Sequence, residues 1–493
     1  MSQISTRIQT LEPSPIVTFI GLAGQHKSAI NFVSGSPGHG SIPGIQSAIN
    51  SASIRDVSLY RAPHYGSLQA RKDAAEYFHQ FYGLAFDPKD EINLTTGFTH
   101  LFFCLCTTLL NPGDTVLLIE PSFPQYQQPI ELAGGKIVTI PTAEKDLWKP
   151  QPDAIKSAFE QSPNSKLIIF NYPNNPSGAT LDESEWQAMI DVLSDEVQRR
   201  EAANATPLLI LLDDAYVPLF HGQSVEKSPT FGRVLQQRIE RAQPEEAAVL
   251  NRLLSSALIV CTLSKQGSAG TLLGMGASKN RELLKYMRVP QKATVICPNA
   301  MGELALGALV QPDEQGTIAW ARELYAERLQ QLGLGLNAVF EQADLPTAGS
   351  GCKPVVTIPV AGMYCYANFS ALKGIGVSGN FLERVHSMTS EMTSGKQETA
   401  KQGISDSETP TAHFKDNQIN TNFDVAVWLL LKAGISTIPM GPDEKCCVRF
   451  SVSLPQAIAE KSPQEIDRIG TQQQGKQLIE QALAQLSQSL LTV

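Results

Sequence analysis

The sequence contains few cysteines, and none of them falls into a spaced motif. Eight cysteines occur among 493 residues, no two of them are separated by two residues, and the nearest neighbours are Cys104 with Cys106 and Cys446 with Cys447. Zinc sites and disulfide frameworks both show recurrent cysteine spacings, so this pattern argues against either. We expect reduced, mostly buried thiols and no metal site.

Long apolar runs and clusters of basic residues are also missing. No uncharged apolar run reaches about 18 residues, the length that a membrane-spanning helix requires. The first residues, MSQISTRIQTLEPSPIV, lack the basic and apolar regions of a signal peptide. Lysine and arginine number 39 against 48 aspartates and glutamates, a formal net charge of −9 that argues against nucleic-acid binding. We therefore expect a soluble cytoplasmic protein that acts on small molecules, not on a membrane.

What the sequence does contain is a series of short, continuous apolar runs. TVLLIE (115–120), KLIIF (166–170), PLLILLD (207–213) and ALIVCTLS (257–264) alternate with helical patterns through the middle of the chain. Near-continuous apolar character is typical of strands that are buried on both faces, as in parallel sheets covered by helices. The pattern predicts an α/β fold.

The length and this pattern predict two domains. We expect residues 1–50 to form an N-terminal arm and part of the small domain, residues 51–315 to form the large domain, and residues 316–493 to contain a linking helix and the small C-terminal α+β domain. Residues 222–256 have the pattern of a helical insertion. Residues 388–420 are rich in Ser, Thr, Gln and Lys, and we expect them to be a mobile polar insertion.

Each of three buried strands is followed by residues that can carry chemistry. ALIVC leads to Lys265 and a glycine-rich segment, LILL leads to Asp213 and Asp214, and LIIF leads to the segment NYPNNPSG. Open α/β sheets bind ligands at the carboxyl ends of their strands. A lysine at that edge is either a surface residue or a buried amine that can form an imine. An acid on a neighbouring strand could balance a protonated ring nitrogen, which pyridoxal phosphate requires.

A second pattern indicates a phosphate site. NLTTGFTHLFFCLC predicts a strand that ends at Gly97 and a long apolar helix after it. The unpaired amides of Phe98 and Thr99 at the start of that helix suit a phosphate dianion. After the next strand, the ring of Phe123 either belongs to the core or stacks on an aromatic cofactor, and both alternatives stay open from the sequence.

Together these segments resemble the class I/II aminotransferases, which are fold-type I enzymes that depend on pyridoxal 5'-phosphate. NYPNNPSG is similar to that family's Asn-Pro-x-Asn-Pro-Ser/Thr-Gly motif, with Tyr172 in place of the first proline. DDAY is similar to the family's D-x-x-Y motif, and TLSK to its Ser/Thr-x-Ser-Lys motif. The order and spacing of the motifs match over nearly the whole chain. The resemblance implies a mostly parallel, seven-stranded sheet covered by helices in the large domain, and a smaller α+β domain.

The resemblance also implies roles for single residues around the cofactor ring. Lys265 would bind the cofactor as a Schiff base, and Asp213 would pair with the pyridine nitrogen. Asn175 and Tyr216 would hydrogen-bond the 3-oxygen, and Phe123 falls on the family's ring-stacking aromatic residue.

The phosphate ligands follow in the same way. The segment TGFTH lines up without gaps on the family's phosphate loop, which implies binding by Gly97, Phe98 and Thr99. In the TLSK motif, Thr262 is implied as a further phosphate ligand, together with Ser264.

The resemblance extends to the substrate and to a partner subunit. VRFSVS is similar to the segment whose arginine clamps the substrate carboxylate, which would be Arg449, and INFVSGSPGHG to the N-terminal substrate loop around Gly35. Asn175 would face the substrate as well. YRAPHYG is similar to the segment that lends a tyrosine to the neighbouring subunit's phosphate, so either Tyr60 or Tyr65 would fill that role. These segments imply a homodimer with active sites at the subunit interface.

One departure from the family pattern concerns charge. The family has Gly-x-Arg-x-Gly after the lysine, with the arginine as a phosphate clamp, whereas this chain reads Gly270-Thr271-Leu272-Leu273-Gly274 and is one residue shorter in this loop. The phosphate charge would therefore be met by amides, hydroxyls or a cation from elsewhere.

The resemblance implies an aminotransferase that acts on an α-amino acid and a 2-oxo acid through Lys265, Asp213 and Tyr216. The alternative is a lyase or cyclase of a specialised biosynthetic pathway, which would use the same site for β- or γ-elimination or replacement. The sequence does not identify the substrate side chain.

Overall fold

The computed structural model describes residues 4–9, 11, 15–38, 42–52, 63–222, 227–313, 316–343, 356–385, 414–454 and 468–491. Its strands are β1 Ile30–Asn31, β2 Ile92–Thr96, β3 Thr115–Glu120, β4 Lys136–Pro141, β5 Leu167–Phe170, β6 Leu209–Asp213, β7 Ala257–Thr262, β8 Leu273–Ala277, β9 Tyr364–Asn368, β10 Ile435–Ser436, β11 Ile438–Pro439 and β12 Cys447–Ser451. Its α-helices in these ranges are Thr6–Gln9, Pro15–Gln25, Pro43–Asn50, Leu68–Tyr82, Gly97–Leu109, Gln127–Leu132, Pro152–Gln161, Glu183–Ala202, Phe231–Arg241, Pro244–Ser255, Arg281–Thr294, Ala300–Leu309, Thr317–Gln342, Asn422–Trp428 and Arg468–Leu490.

The central sheet has seven strands in the order β2-β8-β7-β6-β5-β3-β4. β8 is antiparallel to both of its neighbours, and the other pairs are parallel. Every residue of β5, β6 and β7 is buried, which explains why their sequences are continuous apolar runs. The predicted α/β class and the mostly parallel sheet are confirmed.

Two apolar clusters cover the two faces of this sheet. Along β3, Leu117 and Ile119 point into the first cluster, whereas Val116 and Leu118 point into the second. This alternation is the two-residue period of a strand that is buried on both sides. Helices pack on both faces, so the carboxyl edge of the parallel strands is where polar residues can collect.

A second, smaller sheet lies later in the chain. It is antiparallel, with the order β11-β12-β9, and β1 pairs in parallel with β10. Its core includes Phe19 and Phe32 from the N-terminal part of the chain, consistent with the expectation that this part joins the small domain. The long helix Thr317–Gln342 connects the two sheets and packs against the helix Arg468–Leu490. The domain boundary near residue 315 precedes this helix and stays a proposal.

The two predicted insertions differ in outcome. Residues 222–256 contain the helices Phe231–Arg241 and Pro244–Ser255, and Pro244 begins the second of these. Most of the stretch 388–420 lies outside the described residues. In its last part, 414–420, Phe414 and Ile419 are buried and Phe414 packs on the ring of Phe381. The expected mobility of the stretch stays a prediction.

Two further expectations concern cysteines and membranes. The seven cysteines among the described residues are free thiols, and six of them are buried. Within the ranges given above, no helix combines the length and apolar character that crossing a membrane requires.

Candidate active site

A cavity of about 340 Å³ opens at the carboxyl ends of β5, β6 and β7. Most of the residues that the sequence singled out as cofactor ligands line it. The lining consists of Thr96, Gly97, Phe98, Thr99, Phe123, Gln125, Asn171, Asn175, Asp213, Ala215, Tyr216, Thr262, Ser264, Lys265 and Leu272.

Lys265 enters the cavity from a tight turn after β7. The strand ends at Thr262, two residues earlier than the apolar run predicts. There the hydroxyl of Thr262 accepts a hydrogen bond from the amide of Ser264, and this bond caps the 3-10 turn Leu263–Lys265. Lys265 Nζ donates a 2.7 Å hydrogen bond to the carbonyl of Gly35. The structure thus brings the predicted substrate loop to the predicted cofactor lysine.

Gly35 leaves little room beside this lysine. A Cβ atom at this position would lie 3.0 Å from the hydroxyl of Tyr364 and 3.8 Å from Lys265 Nζ. Any side chain here would therefore displace groups of the site, which explains the glycine.

Asp213 is the last residue of β6 and is buried against the cavity. Its Oδ2 accepts a 2.5 Å hydrogen bond from the hydroxyl of Tyr126. Burial raises the pKa of Asp213 to about 6, even though the hydrogen bonds from Tyr126 and the amide of Ala215 lower it. A carboxylate that is still ionised near neutral pH in this position can pair with a cationic ring nitrogen.

Asp214 does not line the cavity. It lies next to Tyr82, and burial together with the negative charge of Asp213 raises the pKa of Asp214 to about 8. Its Oδ2 has no hydrogen-bond partner among the described residues. The two adjacent acids therefore have different surroundings, and only Asp213 can contact a ligand in the cavity.

The asparagine-rich segment after β5 owes its composition to a network of side-chain hydrogen bonds. Asn171 donates to the carbonyl of Asp213 at 2.9 Å and accepts from the amide of Asn175 at 2.8 Å. Asn174 donates to the carbonyl of Pro121 and accepts from both the amide and the hydroxyl of Ser177. Two asparagines thus fix the loop to neighbouring strands, and they hold the third, Asn175, at the cavity wall.

Asn175 connects the two sheets. Its Oδ1 accepts a hydrogen bond of 3.2 Å from Nη1 of Arg449 on β12. Its Nδ2 donates to the hydroxyl of Tyr216 at 3.5 Å, and that hydroxyl donates to Tyr364 at 3.1 Å. Asn175, Tyr216 and Arg449 are therefore brought together as predicted.

Arg449 is buried and forms no ion pair with an acidic side chain in the described part of the chain. Its Nη2 donates to the carbonyl of Val33 at 2.8 Å, its Nε has no partner there, and its guanidinium carbon lies 4.2 Å from the centre of the Tyr364 ring. A buried guanidinium without an anion is costly unless a ligand supplies one. This arrangement favours a carboxylate ligand over a structural salt bridge.

The predicted phosphate end of the cavity contains dipoles and hydroxyls. The helix Gly97–Leu109 begins there, and Gly97 has a φ of +75°, which a glycine adopts without strain. Thr262 Oγ1 donates to the carbonyl of Leu273 at 3.0 Å and lies 3.0 Å from Ser264 Oγ. A helix N-terminus with hydroxyls beside it is a suitable anion site.

No cation except Lys265 lines this cavity among the described residues. Leu272, in the segment where the family has its arginine, is 51% exposed and has a φ of +45°. Burial lowers the pKa of His100, in the first turn of the helix Gly97–Leu109, and so disfavours a charge on its ring. A phosphate here would be held by the helix dipole and neutral donors.

Phe123 lines the cavity and is only partly buried, with its ring edge-on to Tyr126 at 5.6 Å. This position favours the ring-stacking alternative, although the residue also packs against the core.

Of the two tyrosines expected to reach a partner subunit, the structure describes Tyr65. Tyr60 lies outside the described residues. Tyr65 is held within its own chain, with Arg288 at 3.6 Å and Arg71 at 4.5 Å from the centre of its ring.

Three residues of the site were missed by the sequence interpretation. Tyr126 and Asn171 contact Asp213, and Tyr364 contacts Tyr216. The spacing of Tyr126, three residues after Phe123, was a usable signal, since one short turn carries both rings. Tyr364 comes from the other sheet, and nothing in the local sequence connects it to the cavity.

Comparisons with known proteins agree with this geometry. The family model described as "Aminotransferase class I and II" matches residues 27–400. The chain is 33% identical over 177 residues to an LL-diaminopimelate aminotransferase of Halothermothrix orenii, which covers 34% of this chain and 44% of the relative. It is 25% identical over 353 residues to an aspartate/prephenate aminotransferase of Thermus thermophilus, which covers 70% and 83%. The chain spans about half the length of the curated relatives that it matches at 30% identity or more.

Solved structures share the fold. The aspartate aminotransferase of Rhizobium meliloti superposes with a TM-score of 0.72 at 20% identity and covers 99% of both chains. That of Thermus thermophilus with maleate gives 0.70 at 19% identity and covers 99% of this chain and 100% of that chain. The fold is therefore that of the fold-type I aminotransferases.

The chain belongs to the class I and II aminotransferase family. Members of this family use pyridoxal 5'-phosphate. The residues of the cavity fit this group, because an amine, a buried carboxylate and a helix N-terminus with hydroxyls face the same space.

Proposed function

We propose that this protein is a pyridoxal-phosphate-dependent aminotransferase that moves an amino group between an α-amino acid and a 2-oxo acid. The observation that carries the proposal is the buried Arg449, which has no acidic partner in the described residues and is linked through Asn175 to the cavity that holds Lys265. A site with an amine, a carboxylate and an unpaired guanidinium suits a substrate that brings both an amino group and a carboxylate.

The cofactor-binding roles follow from the positions of the side chains. Asp213 would pair with the ring nitrogen, held in place by Tyr126, and Phe123 would lie against the ring. Asn175 and Tyr216 would turn their donors to the 3-oxygen. The amides of Gly97, Phe98 and Thr99, with the hydroxyls of Thr262 and Ser264, would bind the phosphate. When bound, the cofactor supplies the electron sink for the substrate's α-carbon.

Lys265 would act twice in this account. It would supply the amine that holds the cofactor, and once displaced by an amino acid, the same amine would take the proton from the substrate's α-carbon and deliver it to the cofactor carbon on the other side of the transferred nitrogen. The carbonyl of Gly35 orients the amine at 2.7 Å. Arg449 fixes the substrate's carboxylate, so that the Cα–H bond faces Lys265.

A second candidate function is elimination or replacement at the β- or γ-carbon. The observation that favours it is the segment around Leu272 and Leu273, which has no arginine where the family has its cationic clamp, so that no described side chain at the phosphate end carries a charge. Both reactions begin with the same proton transfer by Lys265, so the residues above serve either one.

We also propose a cytoplasmic homodimer with active sites at the subunit interface and with Tyr60 reaching the partner's phosphate. Exposed apolar side chains support an association surface: Tyr286, Val289 and Ile296 are 53%, 66% and 59% exposed. The free cysteines support a reducing compartment. Sedimentation equilibrium of the purified chain measures the mass, and a monomer at all concentrations would reject the dimer.

The assignment of Lys265 is tested by borohydride reduction of the protein with bound cofactor, followed by peptide mapping. The pyridoxyl group should be found on Lys265. A label on another lysine would reject the site and, with it, the roles given to its neighbours.

A further inference from the structure

Tyr364 brings to the active site a hydroxyl that no motif predicted. It is the first residue of β9, in the small antiparallel sheet, and it is buried. Its Oη lies 3.1 Å from that of Tyr216, and close to the place that a Cβ at Gly35 would take. The same place is 3.8 Å from Lys265 Nζ. Tyr364 is therefore a neighbour of the cofactor lysine.

The direction of the hydrogen bonds around Tyr364 is fixed by chemistry. A guanidinium only donates, so Arg449 must face the oxygen of the Asn175 amide. The amide nitrogen then faces Tyr216 and donates to its hydroxyl. The hydroxyl of Tyr216, which already accepts this bond, gives its own proton to Tyr364.

The chain of donors ends at Tyr364, which accepts from Tyr216 and whose own proton needs an acceptor. The amine of Lys265 lies within hydrogen-bonding reach of this hydroxyl and can take the proton. Burial by itself would raise the pKa of Tyr364, but the positive charges of Lys265 and Arg449 outweigh it and lower that pKa. By contrast, burial and the charge of Tyr364 raise the pKa of Tyr216 well above its usual range.

We propose that Tyr364 shares a proton with the amine of Lys265 and thereby sets the proton affinity of that amine. The proton moves between the phenol oxygen and the amine nitrogen, and no other bond changes. The inference rests on the proposed function, because it deepens the role of Lys265 in proton transfer. Tyr364 is a positioning residue in this account, since it acts on the reaction through Lys265.

Other polar and charged groups also surround Tyr364 and Lys265, and the test must separate their effects from that of the Tyr364 hydroxyl. Arg449 faces the ring of Tyr364, Tyr216 donates to its hydroxyl, and Asp213 interacts with Lys265 across the cavity. Replacing Tyr364 by Phe leaves all three of these groups in the protein. The matched control is Tyr366→Phe, because Tyr366 is two residues further along β9, is also buried, and donates to the carbonyl of Met440 at 2.8 Å.

The experiment measures the proton affinity of Lys265 in the cofactor-free protein. Cyanate carbamylates neutral amines, and peptide mass spectrometry gives the rate at Lys265 as a function of pH. An anionic neighbour stabilises the ammonium and shifts its pKa upward by about one to three pH units. Tyr364→Phe should therefore lower the pH midpoint of the reaction at Lys265 by about one pH unit or more, whereas Tyr366→Phe should leave it unchanged.

A second variant keeps the phenol. Incorporation of 3-fluorotyrosine at position 364 makes the phenol more acidic without removing it, and it should move the midpoint upward. Near-ultraviolet circular dichroism checks that each protein is folded. If both folded variants have the midpoint of the unmodified protein, the proposal is overturned.

This outcome is distinct from a failure of the proposed function. The carbamylation midpoint is measured without cofactor or substrate and reports only on the pair of Tyr364 and Lys265. The cofactor assignment is tested separately, by the position of the pyridoxyl group after borohydride reduction.

Discussion

The hydroxyl of Tyr126 donates a hydrogen bond of 2.5 Å to the carboxylate of Asp213. Tyr126 comes from the turn after β3 and Asp213 from the end of β6, so two strand ends meet at this bond. The bond lowers the pKa of a carboxylate whose burial raises it. It therefore helps to keep Asp213 ionised at neutral pH, as pairing with a cationic ring nitrogen requires.

The first prediction follows from this bond. Tyr126→Phe removes a hydrogen bond that lowers the pKa of Asp213, while burial still raises it. The pKa of Asp213 should therefore rise above about 6. Cofactor binding by the apoprotein, measured by absorbance titration against pH, should then weaken at pH 7 and recover at higher pH. Tyr172→Phe is the control, because its buried hydroxyl bonds the carbonyl of Trp148 and not Asp213. An unchanged pH profile in Tyr126→Phe would show that the bond does not tune Asp213.

The second prediction separates the two adjacent acids. Asp213 lines the cavity and Asp214 does not, so Asp213→Ala should leave a protein that still binds cofactor through Lys265 but reacts slowly, because the electron sink loses its counter-charge. Asp214→Ala should have a mild effect on the reaction. Single-turnover rates with an amino acid check this comparison. Equal effects, or a larger effect at Asp214, would contradict the assignment.

The third prediction concerns Arg449. Two charge-assisted hydrogen bonds to a carboxylate contribute about 1.5 to 3 kcal/mol each. Arg449→Lys keeps the charge but loses the planar fork, so kcat/KM should fall by roughly 100-fold or more. The absorbance spectrum of the bound cofactor should stay the same, since Arg449 does not face the ring nitrogen.

The matched measurement for Arg449 compares an amino acid with the amine that lacks its carboxylate. Stopped-flow titration of the unmodified protein should show a strong preference for the amino acid, and Arg449→Lys should narrow this preference. If the preference does not change, Arg449 is structural and the α-amino-acid assignment loses its main support.

The fourth prediction uses the missing cation at the phosphate end. Leu272 is exposed at the rim of the cavity, so Leu272→Arg should reach a bound phosphate. One charge-assisted hydrogen bond of about 1.5 kcal/mol or more corresponds to a roughly tenfold lower Kd for the cofactor. Leu272→Gln adds a long polar side chain without the charge and serves as the control. If Leu272→Arg and Leu272→Gln lower the Kd for the cofactor equally, the added positive charge does not contribute to phosphate binding.

Much of this architecture could be predicted from the sequence, for a physical reason. Strands buried on both faces leave continuous apolar runs, and parallel strands end at one edge, so Asp213, Lys265 and the segment after Phe170 were expected to meet there. The structure brings them to one cavity. Tertiary contacts that join distant segments leave no such local pattern. Tyr364 reaches the site from the other sheet, and its hydroxyl is visible only in three dimensions.

Residues 414–420 show that average composition does not reveal which single residues are buried. A polar stretch predicts mobility because it offers little apolar surface to bury. Phe414 and Ile419 are nevertheless buried in the core of the smaller sheet. Composition averaged over the 33 residues of 388–420 does not show such single buried residues.

The central claim is that the reaction is amino-group transfer, and isotope exchange tests it most directly. The protein with bound cofactor is incubated with a panel of amino acids labelled with heavy nitrogen and with unlabelled 2-oxo acids, and the products are analysed by mass spectrometry. Transamination predicts that the label appears in the amino acid formed from the oxo acid, and that Lys265→Ala abolishes this transfer. Label released as ammonia, with no labelled amino acid formed, would contradict the claim and establish elimination in its place.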